Sequence, residues 1–264
     1  MIVLSDRTKY AKGGRRMLFQ VLGPLEGRTP GGPPLAIKPG KPTTVLAALL
    51  LDRDRWVGVD RLIDAAWTGR TPPASAAGNL KSYVCGLRQV LPPARSGTRI
   101  ESRQGAYRLR VEVGEVDIDH ADLGAAEARQ ALSDGDPERA AKLLADALDL
   151  WRGRPFEGLR TPAAIAEVAR LDRLHTQLRE DLAEAYHCLG KHFETITLLH
   201  GLLDESPLRE HTWAKLVQVL TETGRRNEAL ATYRRARSVI VRELGVEPGA
   251  VLSGAHHEAL RGCA

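Results

Sequence analysis

The chain has 264 residues, enough for about two domains, each with its own core. Its 43% apolar and 27% charged residues are those of an ordinary globular protein, and the longest apolar run, Val45 to Leu51, is far short of the roughly 20 residues of a membrane span. Residues 1–16 lack the apolar stretch of a secretory signal, and three widely spaced cysteines (Cys85, Cys188 and Cys263) argue against a disulfide framework and for a reducing cytoplasm.

The charge is divided along the chain. Residues 17–111 carry 14 Lys/Arg against 6 Asp/Glu, while residues 112–264 carry 19 against 26. A basic first half points to a polyanionic partner, and an acidic second half to a different task.

Taken in order, residues 1–16 have no periodicity and read as a mobile basic tail. "LFQVLGPLEGR" then reads as a strand, a turn at Gly23-Pro24 and a second strand, and "LAI" as a third. "KPTTVLAALLLD" predicts a helix from about Val45 to Leu51, with Thr43 or Thr44 near its N-cap. "RWVGV" holds one more short strand, and Asp60 can cap the short helix "RLIDAAW". Ser75 opens the longest helix of this half, "NLKSYVCGLRQVL", in which Leu80, Val84, Leu87 and Leu91 recur at helical spacing. "TRIESRQGAYRLRV" predicts a hairpin turning near Gln104-Gly105, with Arg99, Arg103 and Arg108 on or beside it. Strands, three helices and a hairpin in that order describe a winged helix-turn-helix; another α+β domain can share the order, and the added signals are the basic charge and the three arginines at the hairpin. Tyr107, Trp56 and Trp67 read as core residues of it.

From Asp117 onward only helices are expected. Gly135, Ala140, Leu144 and Ala147 share their spacing with Gly190, Thr195, Leu199 and Leu202, and with Gly224, Ala229, Tyr233 and Ala236. The last two copies keep the tetratricopeptide period and Pro207 falls where that motif places its closing proline. An insertion around "WRGRPFEGLRTP" separates the first copy from them. The expected fold class is therefore an α+β N-terminal winged helix-turn-helix domain followed by an all-α tetratricopeptide-like domain.

Catalytic readings fail on their own chemistry. "KPGKPT" lacks the first glycine of a phosphate loop, at Leu35, and carries Pro42 where a Ser or Thr must follow the lysine. Cys188 and His192 stand at i, i+4 and superficially suggest a metal, yet a zinc site needs three or four ligands. The chain is read as a non-enzyme with no cofactor and no metal.

The segments "FQVLGPLE…VDRLIDAAW…PPASAAGNLKSYVCGLRQVL…GAYRL", "ALDLWRGRPFEGL" and "LREHTWAKLVQVLTETGRRNEALATYRRARSVIVRELGVEPG" resemble the Streptomyces antibiotic regulatory protein family. The resemblance runs from Met17 to about Leu260. It implies an OmpR-type winged helix over residues 17–111 and a bacterial transcriptional activation domain over residues 112–264. It further implies a cytoplasmic, nucleoid-associated activator of secondary-metabolite gene clusters. Such a protein binds direct repeats in double-stranded promoter DNA and contacts RNA polymerase holoenzyme, with two copies aligned side by side on the DNA. A small member without a receiver domain or an appended ATPase module is expected.

Under that resemblance the helix from about Ser75 to Leu91 lies in the major groove. Asn79, Lys81, Ser82, Cys85 and Gln89 project away from the apolar stripe, with Asn79 or Gln89 placed to hydrogen-bond a base and Lys81 and Arg88 to hold phosphates. Arg103 enters the minor groove near the hairpin tip, Arg99 lies beside it, and Lys41 approaches the backbone from a helix start. The sequence departs from the family pattern at "KPTT" and at Gly86, where many members carry basic residues. Neither change touches the apolar stripe. The competing reading is a tetratricopeptide-like interaction scaffold with a degenerate or nonspecific DNA-binding domain.

Overall fold

The computed structural model describes residues 17–29 and 32–261, and the basic tail expected at residues 1–16 lies outside the described residues. The chain divides into two compact units. The first runs to Leu123 and takes back Asp149–Asp172, and the second comprises Gly124–Leu148 and the chain from Arg173.

In the first unit β1 (Phe19–Gln20) pairs antiparallel with β2 (Glu26–Gly27), with Phe19 opposite Gly27. The third strand expected at "LAI" does not form. Pro33 and Pro34 have no N–H to continue a ladder, so only an Arg28–Pro34 bridge and a Leu35 N–H bond to the Gly27 carbonyl remain. Helix α1 (Lys41–Leu51) starts a turn earlier than its apolar run. Pro42 suits the first helical turn, where its missing N–H leaves nothing unpaired. The hydroxyls of Thr43 and Thr44 donate back to the Lys38 and Gly40 carbonyls instead of capping.

Strand β3 (Val57–Gly58) leads straight into α2 (Val59–Ala66). Gly58, not Asp60, is the N-cap residue, and Asp60 lies in the first turn near the positive end of the helix dipole. Helix α3 (Ala76–Val90) packs with α1 and α2. The hairpin is β4 (Ile100–Arg103) and β5 (Ala106–Leu109), turned at Gln104-Gly105 with Gly105 in the left-handed region (φ 70°). Strand β3 joins it on the β5 side, giving the order β3-β5-β4. Phe19, Leu46, Leu49, Leu62, Leu80, Ile100 and Leu109 are fully buried.

The first unit also recruits chain from beyond residue 111. The Glu115 carbonyl accepts the N–H groups of Leu18 and Phe19. The buried Asp117 carboxylate accepts those of Val21 and Leu22 at 2.8 and 2.9 Å, and that of Ile118. The segment 151–161 forms neither helix nor strand. Its Arg152 and Phe156 N–H groups bond the Leu22 and Val21 carbonyls. Phe156 is held there at φ 50°, an unusual conformation for a large side chain, with its ring buried.

Among the described residues, all that follows β5 in regular structure is helical: α4 (Asp117–Ser133), α5 (Pro137–Leu148), α6 (Pro162–Cys188), α7 (His192–Glu205), α8 (Glu210–Glu222), α9 (Arg226–Leu244) and α10 (Ala250–Arg261). The spaced glycines of the sequence are the turns between paired helices. Gly135, Gly190 and Gly224 all adopt φ near 70–76°, and each turn closes with the same two backbone bonds. Lys191 N–H reaches the Tyr186 carbonyl and Arg225 N–H the Leu220 carbonyl, as Asp136 N–H reaches Ala131. The small or apolar residues following each glycine (Ala140, Leu144 and Ala147; Thr195, Leu199 and Leu202; Ala229 and Ala236) are buried between helices. Pro207 accepts the indole N–H of buried Trp213 on its carbonyl at 2.8 Å. Among the described residues no helix is long and apolar enough to cross a membrane.

Candidate nucleic-acid interface

Helix α3 buries Ala76, Leu80, Val84 and Leu87 on one side, and Leu91 continues that stripe. With 3.6 residues per turn, Gly78, Ser82, Cys85 and Gln89 stand opposite it. All of these are exposed. Lys81 and Arg88 occupy one flank and Asn79 and Gly86 the other. Lys81 and Arg88 are exposed, and Arg88 spends its Nε on the Ile100 carbonyl at 2.9 Å, which ties α3 to β4. Asn79 is half-buried and donates to the Ser75 hydroxyl at 3.3 Å, while the Ser82 hydroxyl donates back to the Gly78 carbonyl.

Lys41, at the start of α1, is half-buried. Its ammonium lies 3.5 Å from the centroid of the Trp67 ring, which also stacks on Tyr83. Partial desolvation, and then the charge of Arg70, push the Lys41 pKa below the ordinary lysine value. Near the helix start, the Lys41 side chain is thus engaged with an aromatic face.

Arg99 must be withdrawn from the surface set. It is 4% exposed, and its guanidinium bonds the Pro92, Pro93 and Arg110 carbonyls and both oxygens of Glu115. A charge is tolerated at that depth because every donor it directs inward meets an acceptor. Its role is to knot the exit of α3, the hairpin and the segment entering α4.

Arg103 is exposed at the end of β4. Its guanidinium carbon lies 4.5 Å from the Trp56 ring centroid, and that of Arg108 lies at 4.4 Å. Trp56 is therefore half-buried under two arginines instead of in the core, whereas Trp67 and Tyr107 are buried as expected. Glu101 binds Arg108 and, at 2.9 Å, Arg110, and these hydrogen bonds hold its carboxyl below the usual range. Sequence reasoning missed Trp56 and Glu101 as members of this surface. The available signal was register: strand alternation puts Glu101, Arg103 and Arg108 on the face opposite Ile100 and Leu109.

What the surface offers is positive charge at Lys81, Arg88 and Arg103, amide and hydroxyl groups at Asn79, Gln89 and Ser82, and the exposed Cys85 thiol. It suits hydrogen bonding to an anion. Among the described residues no three His, Cys, Asp or Glu side chains are grouped to hold a metal. Cys188 and His192 do not share a helix: the first ends α6, the second begins α7, and Gly190 turns the chain between them.

The chain matches the bacterial transcriptional activator domain family over residues 116–260. It is 36% identical to the transcriptional regulator RedD of Streptomyces coelicolor over 254 residues, covering 92% of this chain and 70% of that protein. It is 31% identical to the regulatory protein DnrI of Streptomyces peucetius, covering 93% of this chain and 92% of the relative. The regulatory protein AfsR of Streptomyces coelicolor is 36% identical, but only 23% of its length is spanned. The structure of Mycobacterium tuberculosis EmbR in complex with a low-affinity phosphopeptide superposes with a TM-score of 0.83 at 30% identity, over 93% of this chain and 65% of EmbR. With residues 116–260 matched by the family and more than nine-tenths of the chain matched by these regulators, the chain belongs to the Streptomyces antibiotic regulatory protein family of transcriptional regulators.

Proposed function

We propose that the protein is a sequence-specific DNA-binding activator of a secondary-metabolite gene cluster. In this reading residues 17–111 are an OmpR-type winged helix-turn-helix, with α3 as the recognition helix and the β4–β5 hairpin as the wing. The observation that carries the reading is the one-sided burial of α3, which leaves a polar face flanked by Lys81 and Arg88 inside a basic half of the chain. Gln89, Asn79 and Ser82 hydrogen-bond base edges in the major groove. Lys81 and Arg88 hold phosphates and set register, Lys41 adds a backbone contact, and Arg103 meets the minor groove.

Two copies bind side by side on direct repeats, and the acidic second half (residues 112–264) contacts RNA polymerase holoenzyme. The protein works in the cytoplasm, on the nucleoid.

The test is to let the full chain select from a pool of random-sequence duplexes. Enrichment of a tandem motif, bound more tightly than random DNA and with affinity falling steeply as salt rises, is expected. Equal binding to all duplexes would overturn the specific reading in favour of the scaffold. Transcription in vitro from the enriched motif placed upstream of a promoter then separates activation, expected as more transcript, from repression.

A further inference from the structure

The outer face of the three-stranded sheet is laid out by its register. Glu101 pairs with Arg108, Arg103 with Ala106, and Gly58 with Ala106 on the other side. Trp56, two residues before Gly58, therefore shares this face, beside Arg108 and diagonal to Arg103. Ile100, Tyr107 and Leu109 point the other way and are buried.

The charges on this face are not balanced evenly. Glu101 gives one oxygen to Arg108 and the other to Arg110, and Asp54 lies 3.7 Å from Arg110. Both acids are thus taken up by Arg108 and Arg110. Among the described residues no carboxylate pairs with Arg103, whose recorded partner is the indole face at 4.5 Å. A guanidinium stacked on a ring keeps its full charge and its edge donors, because the contact uses the π face of both groups.

We propose that Trp56 is a positioning residue for DNA binding. Its indole holds the Arg103 guanidinium in place at the hairpin before DNA arrives, while Glu101 neutralises Arg110 and also Arg108, which shares the ring. This rests on the reading of the hairpin as a DNA-contacting wing. A long arginine ordered in advance loses less freedom on binding than one that must be captured from solution, so the stack raises affinity without touching the duplex.

The experiment uses the full chain and the duplex that the wild-type protein enriches from a random pool. Arg103→Ala is expected to weaken binding about tenfold, in keeping with loss of one anchored cation. Trp56→Leu should weaken it about three- to fivefold, as an exposed cation–π contact predicts, and Trp56→Tyr should recover most of that loss. In the Arg103→Ala background Trp56→Leu should change nothing further. A purely structural tryptophan would instead weaken binding by the same factor in both backgrounds, which overturns the proposal while leaving DNA binding intact. An Arg103→Ala protein that binds as wild type does so too. A wild-type protein that enriches no duplex overturns the DNA reading and this inference together. If Trp56→Leu does not fold, NMR of the wild type decides. The Arg103 side-chain protons should be shifted upfield by the indole ring current, and unshifted protons would sink the stack as a preformed device.

Discussion

Helix α3 buries Ala76, Leu80, Val84 and Leu87 along one side, whereas α8 buries Trp213, Ala214, Leu216, Val217, Val219 and Leu220 around most of its circumference. The cause is the number of neighbours. Helix α8 is packed by α7, α9 and α10, so its solvent-facing polar side chains are confined to the line of His211, Lys215, Gln218 and Glu222. Helix α3 is packed by α1 and α2 and keeps the rest of its surface in water. Its hydrogen-bonding side chains are therefore available to a partner, while several of those on α8 are engaged within its own unit. The Thr212 hydroxyl, for example, donates to Glu180 at 2.9 Å. A helix that builds a core and a helix that presents a surface differ in what substitution does to each.

The largest break should come at Trp213. Its side chain is 2% exposed and its indole N–H is bonded to Pro207. Trp213→Ala leaves a large cavity and is expected to destabilise the second unit by about 3–5 kcal/mol, read by chemical denaturation. A loss below about 1 kcal/mol would mean that α8 is not the packed centre described above. Arg99→Ala follows at the base of α3. It strands the Glu115 carboxylate and three carbonyls, and a broken buried pair costs about 3–5 kcal/mol. Arg103→Ala, four residues further on at the end of β4, should change stability by less than about 0.5 kcal/mol. If both variants unfold at the same denaturant concentration as wild type, Arg99 belongs with the surface arginines after all.

That contrast also marks what could be read from sequence. Periodicity carried the α3 stripe, the hairpin turn at Gly105 and the three glycine turns of the helical unit, because each depends on residues within a few positions of one another. Arg99 could not be sorted from Arg103 in this way. Both fall on one alternating pattern, yet Arg99 precedes β4, and the difference is made by Glu115 and by carbonyls on either side of the hairpin. "WRGRPFEGLRTP" has no period at all. Its attachment to the first unit rests on bonds from Arg152 and Phe156 to Leu22 and Val21, which only the folded chain brings together. "LAI" carries strand-forming residues, and its failure to pair lies in the prolines before it. Of the surface set, the polar face of α3 was legible as the complement of a buried stripe. The Trp56 stack was not, since it needs the register of β3 on β5.

Asp117, buried at the start of α4 and bonded to Val21 and Leu22, should give an intermediate effect. Burial pushes its carboxyl above the ordinary 3.8, against the N–H groups of Leu22 and Val21 that pull it down. The folded chain therefore takes up this proton at a higher pH than the unfolded chain does. The resulting stabilisation is fully present below 3.8 and is lost as pH rises through the raised folded value. Asp117→Asn removes that titration and turns an amide towards a backbone donor. It is expected to cost about 1–3 kcal/mol at neutral pH. The gap between wild type and variant, followed by denaturation at a series of pH values, should widen as pH falls towards 3.8. A gap that narrows with acid would reverse the direction assigned to this group.

The smallest effect sharpens the comparison most, because it adds a group to α3 where α8 has no room for one. Gly86 lies on the half-buried Asn79 flank of α3, and a Cβ built there meets nothing within 4 Å. Gly86→Ala keeps ordinary helical geometry and replaces a poor helix former with the best one, so a gain of up to about 1 kcal/mol is expected. The same methyl added inside the packed surface of α8 would have to displace a neighbour and would destabilise. Affinity for the enriched duplex tells how closely that flank approaches its partner. Unchanged affinity is expected, because Ser82, Cys85 and Gln89 project further from the stripe than position 86 does. A tenfold loss in a more stable protein would show that the backbone of α3 at position 86 rests directly against the partner, closer than the reach of the Asn79 side chain on the same flank requires.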